Sequence, residues 1–350
     1  MISVFGSANM DLVAYVSEAP KRGETVTGHR FRTVPGGKGA NQAIAAARAG
    51  AQVAFLGAVG DDGFGAEMRS SLSEAGVDVR GLRQVPGPSG IAHIVVDDGG
   101  GNSIIVVPGA NGTVTGPSGE DLAAISRSRA LLLQLELPME AVVAAAQAAQ
   151  VAGVPVILTP APAQPLPDEL LDTVTTIVPN EHEAAAITGV TGAHAALDAL
   201  LERVGEAVIT LGSKGALYGS RSGERLRVPA VEVKAVDTTA AGDTFVGALA
   251  VARAEGLAVA DALRFASTAA ALSVQREGAS TSMPTRRQIE DALDNRRRIE
   301  SASGRQPPTD RGRLRPATEG GFAATGDLTG DRRGGRRGGR GAISRVSRAV

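Results

Sequence analysis

Short apolar runs recur along the chain with longer, mixed segments between them. The runs are ISVF (2–5), VAFLGAVG (53–60), ALLLQL (130–135), PVILT (155–159), TTIVP (175–179) and AVITLG (207–212). Each is bounded by glycine, proline or polar residues and has the length of a strand. Ala-rich segments near 38–50, 64–75, 139–152, 181–188 and 193–204 fall between them and carry helical spacing. Such alternation predicts an α/β fold, a doubly wound and mostly parallel sheet flanked by helices. A run as continuously apolar as ALLLQL suits a strand covered on both faces.

Two segments break this rhythm, 12–35 and 91–109. The second reads as a hairpin with its turn at Asp97-Asp98-Gly99-Gly100. Both flank glycine-rich stretches, which predicts a small β lid over a site. The longest apolar stretch, 141–158, is interrupted by Gln147, Gln150, Gly153 and Pro155. It is expected to be a helix followed by a strand, not a membrane span.

Composition narrows the classes. With 43% hydrophobic and 21% charged residues in 350, the chain is an ordinary globular one. It has no cysteine, which excludes disulfides, thiolate metal sites and cysteine nucleophiles. The four histidines, at 29, 93, 182 and 194, have no metal-ligand spacing. The N-terminus shows no basic segment followed by an apolar one, so a cytoplasmic protein is expected. The net charge of −1 conceals an asymmetry. Residues 296–350 hold 14 Arg and no Lys against 5 acidic residues, while 1–295 hold 22 basic and 32 acidic. We therefore expect a folded unit at 1–295 and a Gly/Arg-rich, disordered tail at 296–350. Arg-Gly repeats can bind RNA, but no aromatic residue interleaves with these, so a solubilising extension is expected instead.

Several polar clusters follow the apolar runs, where open α/β sheets bind ligands. GSANMD (6–11) would present Asn9 and Asp11 to hydroxyl groups, although an Asx turn alone would account for it. PGGKGANQA (35–43) is not a Walker A loop, because Gly39 follows Lys38. Its Gly36, Gly37 and Gly39 would let backbone approach a ligand at a helix start, with Lys38 and Asn41 offering polar contacts. Glu136 in LLLQLELP ends an apolar strand and must pair with a base or bind a hydroxyl. Asn180 and Glu183 in IVPNEHEA could help hold hydrated Mg²⁺ and phosphate, and ITLGSKGA (209–216) could wrap a nucleotide. In AVDTTAAGDTF (235–245), Asp243 follows Ala240, Ala241 and Gly242 where a helix begins, with Phe245, Leu249 and Ala252 on one face. By itself Asp243 could merely complement the helix dipole. VQREGASTSMP (274–284) reads as a helix end running into a polar loop.

Together, in this order and spacing, these motifs resemble the ribokinase-like (PfkB) carbohydrate kinases over residues 2–295. The resemblance implies ATP-dependent phosphorylation of a sugar, D-ribose at O5 being the expected acceptor. Other acceptors in the family, such as fructose, deoxyribose or adenosine, stay open, and a non-catalytic sugar sensor or an RNA binder is the remoter alternative. By resemblance Asp243 is the general base, and the backbone N–H groups of Ala240, Ala241 and Gly242 form an anion hole. Asn9, Asp11, Gly37, Lys38, Gly39, Asn41, Glu136 and Asp243 match sugar-binding positions. Asn180, Thr210, Leu211, Gly212, Ser213, Lys214, Gly215, Gly242 and Ser267 match ATP-binding positions, Ser267 standing where members often carry a histidine near the adenine. Glu183 matches an element that tunes Mg²⁺ binding. Asp237, Thr239, Ser273, Arg276, Gly278 and Ser282 match ligands of a monovalent cation, usually K⁺. A homodimer paired through the lids is also implied.

Overall fold

A computed structural model describes residues 1–302. In chain order its strands are β1 (Ile2–Phe5), β2 (Asn9–Val16), β3 (Arg30–Gly36), β4 (Val53–Gly60), β5 (Val77–Asp78), β6 (Leu82–Val85), β7 (Gly90–Asp97), β8 (Asn102–Val107), β9 (Leu131–Leu133), β10 (Val156–Leu158), β11 (Thr176–Ile177), β12 (Glu206–Thr210), β13 (Ala216–Ser220) and β14 (Arg225–Val228). The helices are α1 (Lys38–Arg48), α2 (Gly63–Glu74), α3 (Gly119–Ser126), α4 (Met139–Val151), α5 (Asp168–Leu171), α6 (Glu181–Thr188), α7 (Ala193–Leu201), α8 (Ala241–Ala254), α9 (Val259–Ser273) and α10 (Arg286–Ala302).

The main sheet has the order β14-β13-β12-β11-β10-β9-β1-β4-β5, with β6 pairing the second half of β4. All pairings are parallel except those of β13, which lies antiparallel to β12 on one side and to the edge strand β14 on the other. Successive residues of a strand face opposite sides, and the core divides accordingly. Ile2, Val4, Phe55, Leu132 and Ile157 pack against α1, α8 and α9. Phe5, Leu56, Leu131, Leu133 and Leu158 pack against α3, α4, α5 and α7. Leu131, Leu132 and Leu133 are fully buried, so both faces of β9 are covered as the apolar pattern requires. The run ALLLQL pairs only over 131–133, because the chain then leaves the ladder and turns Gln134 and Glu136 toward the site, Leu135 N–H donating to Ala161 O at 3.0 Å.

The two segments that broke the rhythm form a second, four-stranded sheet in the order β3-β2-β7-β8. Its β7–β8 turn lies where the sequence places it, with Gly100 at φ +84° and its N–H donating to Asp97 O at 2.9 Å. On β8, Ile104 through Val107 are all exposed. No single helix among the described residues is long and apolar enough to cross a membrane. Helix α10 runs on through the 295/296 boundary expected between body and tail, and residues 303–350 of that tail lie outside the described residues.

Candidate active site

The motifs GSANMD, PGGKGANQA and LLLQLELP converge where β1, β9 and the α1 N-terminus meet. Glu136 Oε2 accepts from Ser7 Oγ at 2.5 Å, from Lys38 N–H at 3.0 Å and from Asn9 Nδ2 at 3.5 Å. Glu136 thus ties the GSANMD loop to the start of α1. The Asp11 carboxyl, on β2, accepts no hydrogen bond from the described residues and is half-buried. Burial, then the charges of Glu136 and Asp243, push its pKa up to about 7, against the pull of Lys38. Burial alone would lower the Lys38 pKa, but the carboxylates of Asp243, Glu136, Glu183 and Asp11 outweigh it and the net shift is upward.

The three glycines of PGGKG serve packing at least as much as ligand approach. A Cβ on Gly36 would sit 2.3 Å from Asp11 Oδ2. One on Gly37, whose φ is +92°, would meet Asn9 N at 2.7 Å, and one on Gly39 would meet Ser7 N at 2.6 Å. The absent side chains let the α1 start lie directly on the 6–9 loop.

Asp243 sits in the first turn of α8, only 8% exposed. Its Oδ1 accepts from Gln42 Nε2 at 3.1 Å and its Oδ2 from Asn41 Nδ2 at 3.3 Å, both donors standing on α1. Gln42 is itself held by Gln134 Nε2 on its Oε1 (2.7 Å) and by Thr159 Oγ1 on its Nε2 (3.0 Å). Burial drives the Asp243 pKa up; Lys38 and the two amides oppose this, and it settles at about 6. A carboxylate poised there can take a proton near neutral pH. Asn41 Oδ1 is buried and accepts no hydrogen bond, leaving an acceptor beside Asp243 for a hydroxyl.

On the other side of Asp243 lies a cleft of about 420 Å³. Thr210, Gly212, Ser213, Gly215, Gly242 and Ser267 line it. Leu211 is buried behind this wall, and Lys214, not itself in the lining, is 3.9 Å from Glu181. Asn180 and Glu183 cap α6 reciprocally, Glu183 N–H donating to Asn180 Oδ1 and Asn180 N–H to Glu183 Oε2, each at 2.8 Å. At the mouth, Ala240 has φ +57°, the left-handed region, the one non-glycine there among the described residues. Ala241 N–H donates to Thr238 O at 3.2 Å, whereas the N–H groups of Ala240, Gly242 and Asp243 find no acceptor among the described residues. The open donors at this helix start are therefore those three.

The residues expected to hold a monovalent cation meet beside that turn. Asp237 Oδ1 accepts from Thr239 N–H (2.9 Å) and Oγ1 (2.6 Å), and Oδ2 accepts from Gly278 N–H (2.9 Å). Although burial opposes it, these donors and Arg32 hold the Asp237 pKa below the usual carboxylate value. The side chains of Ser273 and Ser282 turn back to Ala270 O and Ala279 O. The backbone carbonyls of Asp237, Thr239, Arg276 and Gly278 accept no hydrogen bond among the described residues.

A family model described as pfkB family carbohydrate kinase matches residues 1–286. The chain belongs to that family. Among curated relatives of this pfkB kinase are the ribokinases of Schizosaccharomyces pombe, 43% identical over 84% of this chain and 98% of that one, and of Bacillus subtilis, 45% identical over 83% and 99%. A solved structure of Arabidopsis thaliana ribokinase complexed with ribose and ATP is 36% identical, with a TM-score of 0.79 over 83% of this chain and 98% of that one. Ribokinase from Thermotoga maritima matches at 38% identity and a TM-score of 0.77, over 84% and 99%.

The sequence reading passed over several residues of this pfkB kinase's site. Gln42 and Gln134 lie inside quoted motifs, and their place next to polar positions was the available signal. Ser7 was likewise inside GSANMD. Thr159, the hydroxyl on Gln42, ends the run PVILT and carried no cue of its own. Asn111 bonds Ala8 N–H (3.1 Å), Ala8 O (3.0 Å) and Asn9 Oδ1 (2.8 Å), yet sits in PGANGT, which reads only as a turn.

Proposed function

We propose that this pfkB kinase transfers the γ-phosphoryl group of ATP to O5 of D-ribose, giving ribose 5-phosphate and ADP. The observation that carries the reading is the seat of Asp243. One buried carboxylate, held by Asn41 and Gln42, stands between a pocket of hydroxyl-binding groups and a cleft ending at unpaired helix N–H groups. The names of the relatives, and the ribose and ATP of the Arabidopsis complex, support the choice of substrates.

Asp11, Asn41 and Glu136, with Asn9, Gly37, Lys38 and Gly39 around them, bind and orient the sugar. Asp243 accepts the O5 proton as that oxygen attacks the γ-phosphorus. The N–H groups at the α8 start stabilise the charge on the transferring phosphoryl group. Lys38, raised in pKa and therefore cationic, adds to that field. The four-stranded sheet covers the sugar and keeps water from competing as acceptor. Deoxyribose differs from ribose by one hydroxyl and fructose by an added carbon and its ketose form, and relatives named deoxyribokinase match at 37% identity. Ribose is favoured because relatives at 40–45% identity are named ribokinase.

No group of three or more His, Cys, Asp or Glu among the described residues is placed to hold a metal ion. Mg²⁺ would therefore arrive on the ATP phosphates, neutralising their charge, with Glu183 reaching it through water. The unpartnered carbonyls of Asp237, Thr239, Arg276 and Gly278, beside the Asp237 carboxylate, fit a monovalent cation such as K⁺. That ion would fix the backbone of the anion hole. We further propose that residues 1–295 suffice for activity, that the enzyme works in the cytoplasm, and that exposed β8 pairs two copies as a homodimer. The test is ADP release with ribose, deoxyribose, fructose and adenosine, with and without K⁺. Highest kcat/KM on ribose, rising with K⁺, supports the proposal. Preference for another acceptor refutes the substrate, and no turnover refutes the kinase reading.

A further inference from the structure

Glu277 lies in the loop after α9, between Arg276 and Gly278, and has no part in the machinery described above. Its Oε2 is 3.2 Å from Arg32 Nη1 and 3.7 Å from Arg30 Nη2. Both arginines stand on β3, two residues apart and so on one face of the strand. Arg30 also lies over the Tyr15 ring, 5.2 Å from its centre, on the adjoining β2. Strand β3 runs directly into Gly36 and Lys38, and its Val34 pairs with Asp11. One end of this sheet thus carries sugar-binding groups, and its flank grips Glu277.

From Glu277 the contacts continue inward. The next residue, Gly278, donates its N–H to Asp237 Oδ2 at 2.9 Å. Asp237 Oδ1 holds Thr239, and the N–H groups of Val236 and Asp237 donate to Val274 O at 2.7 and 3.2 Å. Thr239 immediately precedes Ala240, whose left-handed conformation starts the anion hole. Resting on the sugar-kinase reading above, we infer that Glu277 is a positioning residue. It latches the sugar-covering sheet to the 274–282 loop, so that sugar binding firms the cation loop and the turn carrying the anion hole. Glu277 also neutralises two neighbouring cations on β3, so its loss leaves Arg30 and Arg32 repelling each other on one strand face.

Full-length wild type, Glu277→Gln, Arg32→Gln and the double variant Arg32→Gln/Glu277→Gln are compared. Exposed ion pairs couple weakly, so each single variant is expected to raise the sugar KM and the K⁺ concentration for half activation about two- to fivefold. Its kcat at saturating sugar, ATP and K⁺ stays at the wild-type level, and the double variant loses no more than the worse single variant, as coupled sites do. A second readout needs no turnover. Ribose alone, at concentrations shown by calorimetry to saturate each protein, slows amide hydrogen exchange over 236–242 in wild type and not in Glu277→Gln. Equal protection in both, or a double variant whose loss is the product of the two single losses, overturns the latch while wild-type turnover leaves the kinase reading standing. A wild type that phosphorylates no sugar overturns both.

Discussion

Gly36→Ala separates sugar positioning from folding. The added Cβ would lie 2.3 Å from Asp11 Oδ2 and 2.8 Å from its Cγ, where ordinary contact begins at 3.4 Å. The Asp11 carboxyl must therefore retreat by an amount of order 1 Å. Misplacing a substrate-orienting group that far costs about 10²-fold in rate, some 2.7 kcal/mol of transition-state stabilisation. The fold has little to lose. Gly36 is not in the left-handed region, the clash is with the end of a side chain, and alanine in a strand recovers about 0.5–1 kcal/mol of backbone entropy. Expected is a fall of about 10² in kcat/KM for the sugar, KM for ATP unchanged and a melting temperature within a few degrees of wild type. Gly39→Ala is the contrast, because its Cβ meets the backbone of Gly6 and Ser7 at 2.6–2.8 Å and the fold itself must yield. Steady-state kinetics with calorimetric melting decide the matter. A Gly36→Ala enzyme with wild-type sugar kinetics refutes the placement of Asp11 in the sugar pocket.

Asp243→Asn should lower kcat by about 10²–10⁴-fold without loss of fold, read by single-turnover kinetics and circular dichroism. In wild type, kcat/KM should rise with pH through about 6 and level off above 7, following the raised Asp243 and Asp11 pKa values, and a flat profile between these limits would contradict them. Stability runs the other way. Both pKa values are raised on folding, so the folded chain binds protons that the unfolded chain has released, and their contribution, complete below about pH 4, is lost as pH rises through 6 to 7. The Tm of Asp243→Asn relative to wild type should accordingly be higher at pH 8 than at pH 5 by scanning calorimetry. Gly247→Ala should cost about 1–3 kcal/mol in denaturant unfolding, since its Cβ would meet Ala45 Cβ at 2.6 Å and Gln42 O at 2.8 Å where α8 crosses α1. Gly242→Ala meets nothing within 4 Å, so it should leave stability unchanged and weaken kcat/KM for ATP about tenfold or more by filling the cleft.

The alternation of apolar runs and Ala-rich segments was enough to read the layered sheet, because β1, β4 and β9 are buried on both faces and carry almost no polar residue. The hairpin at 91–109 was legible through its Asp-Asp-Gly-Gly turn. Roles that depend on who faces whom were not. The sequence offers Asn180 and Glu183 as ligand contacts; their N-x-x-E spacing is also that of a capping box, and in the structure they satisfy each other at a helix start. Likewise Ala241 looks equivalent to Gly242 in the string TTAAGD, yet Ala241 spends its N–H on Thr238. Asn111 and the Arg32–Glu277 pair join positions 102 and 245 residues apart, a distance over which no local pattern carries information.

Those long-range contacts share a purpose. Asp243 is placed by α1, not by its own helix: Asn41 and Gln42 hold both of its oxygens. The crossing of α1 on α8 is made close by Gly247 and by the small Ala45 and Ala46. The same α1 begins at Lys38, whose N–H fixes Glu136. One helix–helix contact therefore sets the distance between Asp243, the proposed base, and the carboxylates of Asp11 and Glu136, and a side chain at Gly247 must move both together. If that coupling is real, Gly247→Ala loses kcat/KM for sugar beyond what its unfolded fraction explains. A Gly247→Ala enzyme that is merely less stable, with unchanged kinetics per folded molecule, would place the alignment of the base elsewhere than in this crossing.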